Sequence, residues 1–399
     1  MAALATAVLA ASGADPSADR LLARAKALHA KAPLVDGHND YPWAVREKVP
    51  SLDLAGLDIR GPQPRTMTDI PRLRAGGVGG QFWSVYVPAS SQGKDAVRLT
   101  LEQIDVVRRM AARDPGTFEM ARTAADVERI HKAGRVASLI GVEGGHSIDN
   151  SLGVLRAMHA LGAGYMTLTH TANLPWADAA TDTPVNGGLN AFGESVVAEM
   201  NRLGMLVDLS HVSPDTMADA IRVSKAPVIF SHSNARAISD VPRNVPDDIL
   251  RQVAANGGVV MVTFVPSFVS PDGGASYQAM LSEQRRLEQA FPGDLAAQKK
   301  AFEAFTKARP APKATLSMVA DHIDHIRKVA GIDHIGIGSD FDGIEAVVEG
   351  LEDVSTYPAL SAELFRRGYS DADVTKIIGG NVLRVMRRAE QVSATLQRR

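Results

Sequence analysis

Not one of the 399 residues is cysteine, so disulfides and thiolate metal sites are both ruled out. Any transition metal must then be held by imidazole and carboxylate. Neither charge sign dominates: 43 Lys and Arg stand against 45 Asp and Glu, a formal net charge of -2. No basic cluster of the kind that grips nucleic acid or an anionic membrane stands out, and a small molecule is the expected partner. Long apolar runs are also missing. The uncharged stretch from Met1 to Ala14 is too short to cross a bilayer, but it has the length of a secretory h-region and ends in the small residues Ala11, Ser12, Gly13 and Ala14. A leader over residues 1–20, with export to the periplasm or exterior rather than cytoplasmic residence, is the expectation. The far end, 392–399, is polar and basic, without the hydrophobic tail that would direct a lipid anchor. Gly76-Gly77-Val78-Gly79-Gly80 lacks the preceding strand and the lysine of a phosphate loop, which argues against nucleotide chemistry.

What is present is a regular alternation. Short apolar runs at 34–38, 80–87, 136–143, 165–170, 205–211, 227–232, 259–265 and 334–340 are separated by helical patterns such as 90–112, 124–133, 188–203, 214–223 and 247–256. Most of these runs are apolar on both faces, as strands buried between a core and covering helices must be. Ser213 ahead of Pro214, and Ser370 three residues before Asp373, supply helix start signals. Strand and helix repeated eight times predict an α/β fold, a (β/α)8 barrel of the TIM type, spanning 21–390 with a polar tail at 391–399. A doubly wound sheet is the alternative, but it gives no reason for polar residues to recur at strand ends. The rhythm breaks at 271–312, after the seventh strand, where two charged amphipathic helices are expected. That insertion could serve as a lid, as a contact in a homodimer, or as a plain solvated excursion.

The chemistry gathers where the runs end. His38 and Asp40 close the first, Glu143 the third, His170 the fourth, His211 the fifth, His232 the sixth and Asp340 the eighth. Side chains two apart on a strand share a face, so His38 and Asp40 project together. A lone strand-end histidine is more often structural, but in a barrel all these ends surround one axis, and convergence makes a first-row metal site. The donors outnumber the three protein ligands that one catalytic zinc usually takes. Two ions fit better: His38 and Asp40 on one, His211 and His232 on the other, and Glu143 bridging, with a water between the ions acidified toward neutrality. Asp340 is left as proton carrier and His170 as a group that polarises a carbonyl or holds an oxyanion. His146, just past Glu143, is a fallback ligand. His322 and His325 are expected on a solvated helix face. Arg243, in a proline-pinned loop after the sixth strand, reads from spacing alone as a surface residue, although an arginine there could fork onto a carboxylate.

Several segments together have a familiar order: Val35-Asp36-Gly37-His38-Asn39-Asp40, Gly141-Val142-Glu143-Gly144, Leu168-Thr169-His170-Thr171 with Asn173 and Trp176, Asp208-Leu209-Ser210-His211, Phe230-Ser231-His232-Ser233, Arg243-Asn244-Val245-Pro246-Asp247 and Gly338-Ser339-Asp340-Phe341-Asp342-Gly343. This set resembles the membrane (renal) dipeptidase family of zinc peptidases, from about residue 34 to Gly379-Gly380-Asn381. The resemblance implies a barrel hydrolase with two Zn2+ that cleaves L,L and L,D dipeptides. It also implies His38, Asp40, Glu143, His211 and His232 as metal ligands, His170 and Arg243 as substrate contacts with Arg243 at the carboxylate, and Asp340 as acid/base. It reverses the surface reading of Arg243. The vertebrate members are disulfide-bonded and lipid-anchored; the cysteine-free chain looks like a bacterial relative, and membrane attachment is not carried over. A different metal-dependent amidohydrolase acting on a cyclic amide or ester, and a metal-stabilised binding protein without turnover, are the rival readings. Many such amidohydrolases bridge their metals with a modified lysine, and no lysine ends a strand here.

Overall fold

The computed structural model describes residues 16–292, 294–309 and 312–398. Most of the expected leader lies outside the described residues, and its assigned end at 20 is overrun by a helix, Pro16–His29. Nine strands follow: β1 (Leu34–Asn39), β2 (Val78–Ser84), β3 (Phe118–Met120), β4 (Val136–Glu143), β5 (Ala163–Thr167), β6 (Leu206–Asp208), β7 (Ile229–Phe230), β8 (Val259–Val262) and β9 (Ile335–Ile337). All pairings between them are parallel. Eight close a ring in the order β1-β2-β4-β5-β6-β7-β8-β9 and back to β1, with helices around it. This is a (β/α)8 TIM-type barrel. The ninth strand, β3, had not been expected. It spans three residues and pairs with the first half of β4, below the point where β5 takes over that edge, and so short a run carries no readable periodicity.

The expected runs also reached too far. Pairing stops at Thr167, Asp208, Phe230, Val262 and Ile337, two or three residues short of His170, His211, His232, Val265 and Asp340. The chemistry-bearing residues stand just past the ladder, where the backbone can turn them toward the axis. His211 and Asp340 use left-handed backbone, φ 69° and 71°, a conformation that costs a non-glycine residue roughly 1–2 kcal/mol and persists where the surroundings hold it.

The strands are buried along nearly their whole length because helices cover the outside. Each fully buried large side chain, Trp83, Phe230 or Phe264 among them, contributes about 1.5–3 kcal/mol against the entropy of ordering the chain. Ser213 caps the helix Pro214–Val223 by accepting from the Thr216 amide, and Ser370 with Asp373 forms the expected capping box. The helix Asn381–Gln397 runs on into the polar 391–399 tail, with Val392 and Ser393 buried and the Ser393 hydroxyl donating to the Arg202 carbonyl at 2.7 Å. One expectation needs correction. His322 is not solvated but fully buried: the Ala235 amide donates to its Nδ1 at 3.2 Å and its Nε2–H donates to the Val269 carbonyl at 3.0 Å. The insertion forms the helices Gly273–Ala290 and Leu295–Ala308. No helix among the described residues is long and apolar enough to cross a membrane.

Candidate metal centre

At the carboxyl end of the barrel His38, Asp40, Glu143, His170, His211, His232 and Asp340 converge. Their ligand atoms fall into three overlapping groups, His38 with Glu143 and His232, Glu143 with His170 and His211, and His38 with Asp40 and Asp340, each within 4.8 Å. The His38 Nε2 lies 3.2 Å from Asp40 Oδ2 and 3.5 Å from Glu143 Oε2. On the other side Glu143 Oε1 lies 3.1 Å from His211 Nε2, 3.5 Å from His170 Nε2 and 3.6 Å from His232 Nε2. The two imidazole nitrogens of His211 and His232 are 2.9 Å apart. An ion about 2.0–2.1 Å from tetrahedral ligands separates those ligands by about 3.3 Å, so this spacing suits donors arranged around cations. His38 Nε2 and Asp40 Oδ1 are buried with no hydrogen-bond partner among the described residues. Left so, they would each cost desolvation without return.

Hydrogen bonds behind the ring fix which nitrogen faces inward. The Tyr165 hydroxyl donates to the Gly37 carbonyl at 3.1 Å, so it accepts from His38 Nδ1–H at 2.9 Å and leaves the His38 Nε2 lone pair toward Asp40 and Glu143. Ser231 donates to Asp208 at 2.6 Å and accepts from His232 Nδ1–H at 2.8 Å, which frees His232 Nε2 in the same way. Ser84 donates to Glu143 Oε2 at 3.0 Å. Outer contacts of this kind hold metal ligands in one tautomer and orientation, and here they would do so for the candidate ligands. Two fully buried aspartates support the frame. Asp36 accepts from the Ser339 amide and hydroxyl, the Tyr357 hydroxyl and Gln81, and Asp208 accepts from Thr167, Ser231 and the Ser210 amide.

The electrostatics point the same way. Burial holds the His211 and His232 pKa values well below the usual imidazole range, so both stand neutral, the form that binds metal. Burial opposes charge on His38, but Tyr165, Glu143 and Asp40 outweigh it and raise its pKa well above normal. The pocket therefore draws a positive charge to the place between Asp40 and Glu143. Burial raises the Asp340 carboxyl well above the ordinary carboxylate value, with Asp40 and Glu143 adding to the rise and His38 opposing it. The Asp340 amide donates to the His38 carbonyl at 3.1 Å, and its Oδ1 lies 3.9 Å from His38 Nε2. Gly343 is required here: a Cβ would lie 2.3 Å from Asp40 Oδ2 and 2.7 Å from Asp340 Oδ1. Asp342, by contrast, is a turn residue whose Oδ1 accepts from the Met67 amide at 2.6 Å.

His146 stays outside the ring. Its Nε2–H donates to the Val87 carbonyl at 3.0 Å, and burial pulls its pKa down to about 4. His170 stacks on His211 at 4.2 Å between ring centroids and borders the open side of the site. Arg243 is only 2% exposed, against the spacing-based reading, with Nη1 lacking a partner among the described residues and its guanidinium 5.4 Å from the centre of the Phe268 ring. It lines a cleft of about 510 Å³ together with Asp40, Glu143, His170, His211 and Asp340. Tyr86, Phe268 and the insertion's Tyr277 also line this cleft. Of the supporting residues, Tyr165 and Ser84 went unnoticed in the sequence, and Asp36 and Asp208 stood there only within the family-like segments, with no role assigned to them.

Comparison with known proteins agrees with this geometry. The chain is similar to Dipeptidase 3 of Mus musculus, 44% identical over 379 residues covering 94% of this chain and 68% of that protein. It is also similar to Dipeptidase verJ of Clonostachys rogersoniana, 40% identical over 394 residues covering 95% and 90%. Among solved structures it is similar to a metallopeptidase from Rhodobacter sphaeroides crystallised with a phosphinate mimic of the dipeptide L-Ala-D-Ala, with a TM-score of 0.74 at 26% identity over 90% of this chain and 99% of that one. Residues 22–399 match the family model described as membrane dipeptidase, peptidase family M19, and the chain belongs to that family of metallopeptidases.

Proposed function

We propose that the protein hydrolyses dipeptides, L,L and L,D alike, with two zinc ions held by His38 and Asp40 on one side, His211 and His232 on the other, and Glu143 between them. The observation that carries the reading is the division of the Glu143 carboxylate, Oε2 toward His38 at 3.5 Å and Oε1 toward His211 and His232 at 3.1 and 3.6 Å. The phosphinate mimic of L-Ala-D-Ala bound by the Rhodobacter sphaeroides relative supports tolerance of a D-residue. When bound, the ions polarise the scissile carbonyl and acidify a water for attack.

The chain's own residues do the rest. Arg243 takes the free carboxylate of the substrate by a charge-assisted fork. His170, on the cleft side of Glu143, supports the oxygen that gains charge as the carbonyl becomes tetrahedral. Asp340, whose carboxyl is raised well above the ordinary carboxylate value by burial, accepts the proton of the attacking water and returns it to the departing amine. Zinc analysis of the purified protein, combined with turnover of a small panel of L,L and L,D dipeptides, tests the reading. Two zinc ions per chain with hydrolysis are expected; two zinc ions with no turnover of any panel member would overturn it.

A further inference from the structure

The insertion contributes to substrate binding, an inference that rests on the dipeptidase reading above. Its first helix, Gly273–Ala290, begins on two glycines pressed against backbone: a Cβ on Gly273 would lie 1.8 Å from the Ser267 carbonyl oxygen, and one on Gly274 2.7 Å from that of Asp240. Only glycine allows the helix start to seat so closely on the loops that follow β7 and β8. Residues three and four apart share a helix face, so this seating directs Tyr277 to the same side. Tyr277 lines the cleft with Arg243 and meets Phe268 edge to face, 5.2 Å between ring centroids. Arg243 stands over the same Phe268 ring at 5.4 Å. The Tyr277 hydroxyl has no hydrogen-bond partner among the described residues, and Arg243 Nη1 likewise has none. Burial raises the Tyr277 pKa and the Arg243 charge pulls it back, a sign that the two groups lie within electrostatic reach.

A phenol in the cleft wall and a guanidinium whose buried Nη1 has no partner among the described residues, beside one aromatic ring, make a two-point seat for a planar anion. We propose that Tyr277 is a specificity residue which, with Arg243, binds the free carboxylate of the dipeptide, and that the insertion exists in part to deliver it. The hydroxyl donates its hydrogen bond to one carboxylate oxygen and Arg243 holds the other.

The test uses the full-length, zinc-loaded enzyme and the Tyr277→Phe variant, which keeps the ring against Phe268. KM for L-Ala-L-Ala should rise roughly tenfold or more, the cost of a lost hydrogen bond to a charged group, with kcat changed by less than about twofold. Competitive inhibition by the corresponding dipeptide amide, which has no carboxylate, should stay as it was. In an Arg243→Met background the same substitution should have a smaller effect on kcat/KM, because the two residues serve one group. An unchanged KM, or a KM and an amide inhibition constant that rise together, would overturn the role of Tyr277 while leaving dipeptide hydrolysis standing. Failure of the unsubstituted enzyme to cleave any dipeptide would instead strike the reading beneath it.

Discussion

Replacing Tyr165 by Phe removes one oxygen from the barrel interior and probes how the metal site is held. That hydroxyl accepts from His38 Nδ1–H at 2.9 Å and donates to the Gly37 carbonyl at 3.1 Å, and the ring packs 5.1 Å from Phe82, a contact the phenylalanine keeps. Without the hydroxyl the proton on Nδ1 has no acceptor. In the metal-free protein, where Tyr165, Glu143 and Asp40 favour the charged imidazole, His38 can give up the Nδ1 proton and keep Nε2–H toward Asp40 Oδ2 at 3.2 Å. No donor is then left unpaired on the ring, so little stability is lost. With a zinc ion held as proposed, that escape would be closed, since Nε2 would have to offer its lone pair and the buried Nδ1–H would stay unsatisfied. Outer contacts of this kind are worth about 10- to 100-fold in metal affinity, or about 1.4–2.7 kcal/mol. Competition titration against a chromophoric chelator should therefore show weaker zinc binding, while thermal unfolding of the two metal-free proteins nearly coincides. Zinc affinity within about threefold of the unsubstituted protein would refute the argument. Affinity and metal-free stability falling together would mean that the hydroxyl matters for packing instead.

Asp340→Asn should retain zinc, because Asp40 and Glu143 still face His38, and lower kcat by a factor on the order of 10² to 10⁴, the usual worth of a general acid/base; near-normal single-turnover rates would remove Asp340 from the proton path. His322 makes acid destabilisation predictable. Its folded pKa lies at about 4, below the ordinary 6.5, because burial outweighs the Val269 hydrogen bond. The unfolded chain thus binds a proton that the folded one refuses. Stability from this group is complete above pH 6.5 and is lost as pH falls from 6.5 toward 4, by up to about 3 kcal/mol. Comparing urea unfolding of His322→Gln with the unsubstituted protein at several pH values across that window should show a smaller loss in the variant, and parallel losses would contradict the assignment.

How much of this was legible in the chain depended on which residues stood near one another in sequence. His38 and Asp40 were readable as candidate ligands because they are two residues apart at the end of one strand, and the other candidates because each follows an apolar run. Their partners were not. Tyr165 meets His38 across 127 positions of sequence, and only the register of the closed sheet brings them together. Asp36 and Asp208 look like polar breaks in apolar strands, and their need for buried donors from β2, β5, Tyr357 and the loops after β7 and β9 appears only once those strands pair. His322 is different, for the signal was there. It falls three residues after Val319 and four before Ile326, on the stripe that buries Val319, Ile323 and Ile326. The helical period places it inside, and setting it opposite the stripe of Leu316, Val319, Ile323 and Ile326 misread that period.

The two ends of the site differ in readability for a physical reason. A metal ligand must be one of a few side-chain types at the end of a strand, so residue type and position suffice to nominate it. A substrate contact is placed by backbone. Arg243 is drawn inward because Asn244 beside it donates to the carbonyls of Ser239 and Phe268, at 2.8 and 2.9 Å, while Arg236 reaches the carbonyls of Pro242 and Asn244. Carbonyl acceptors carry no side-chain identity, so no pattern of residues announces them. The same holds for Gly273 and Gly274, whose missing Cβ atoms matter only because particular backbone oxygens lie where those atoms would be. Relatives with the same strand ends and different loops after β7 and β8 should accordingly share the metal centre and diverge in the substrates they accept.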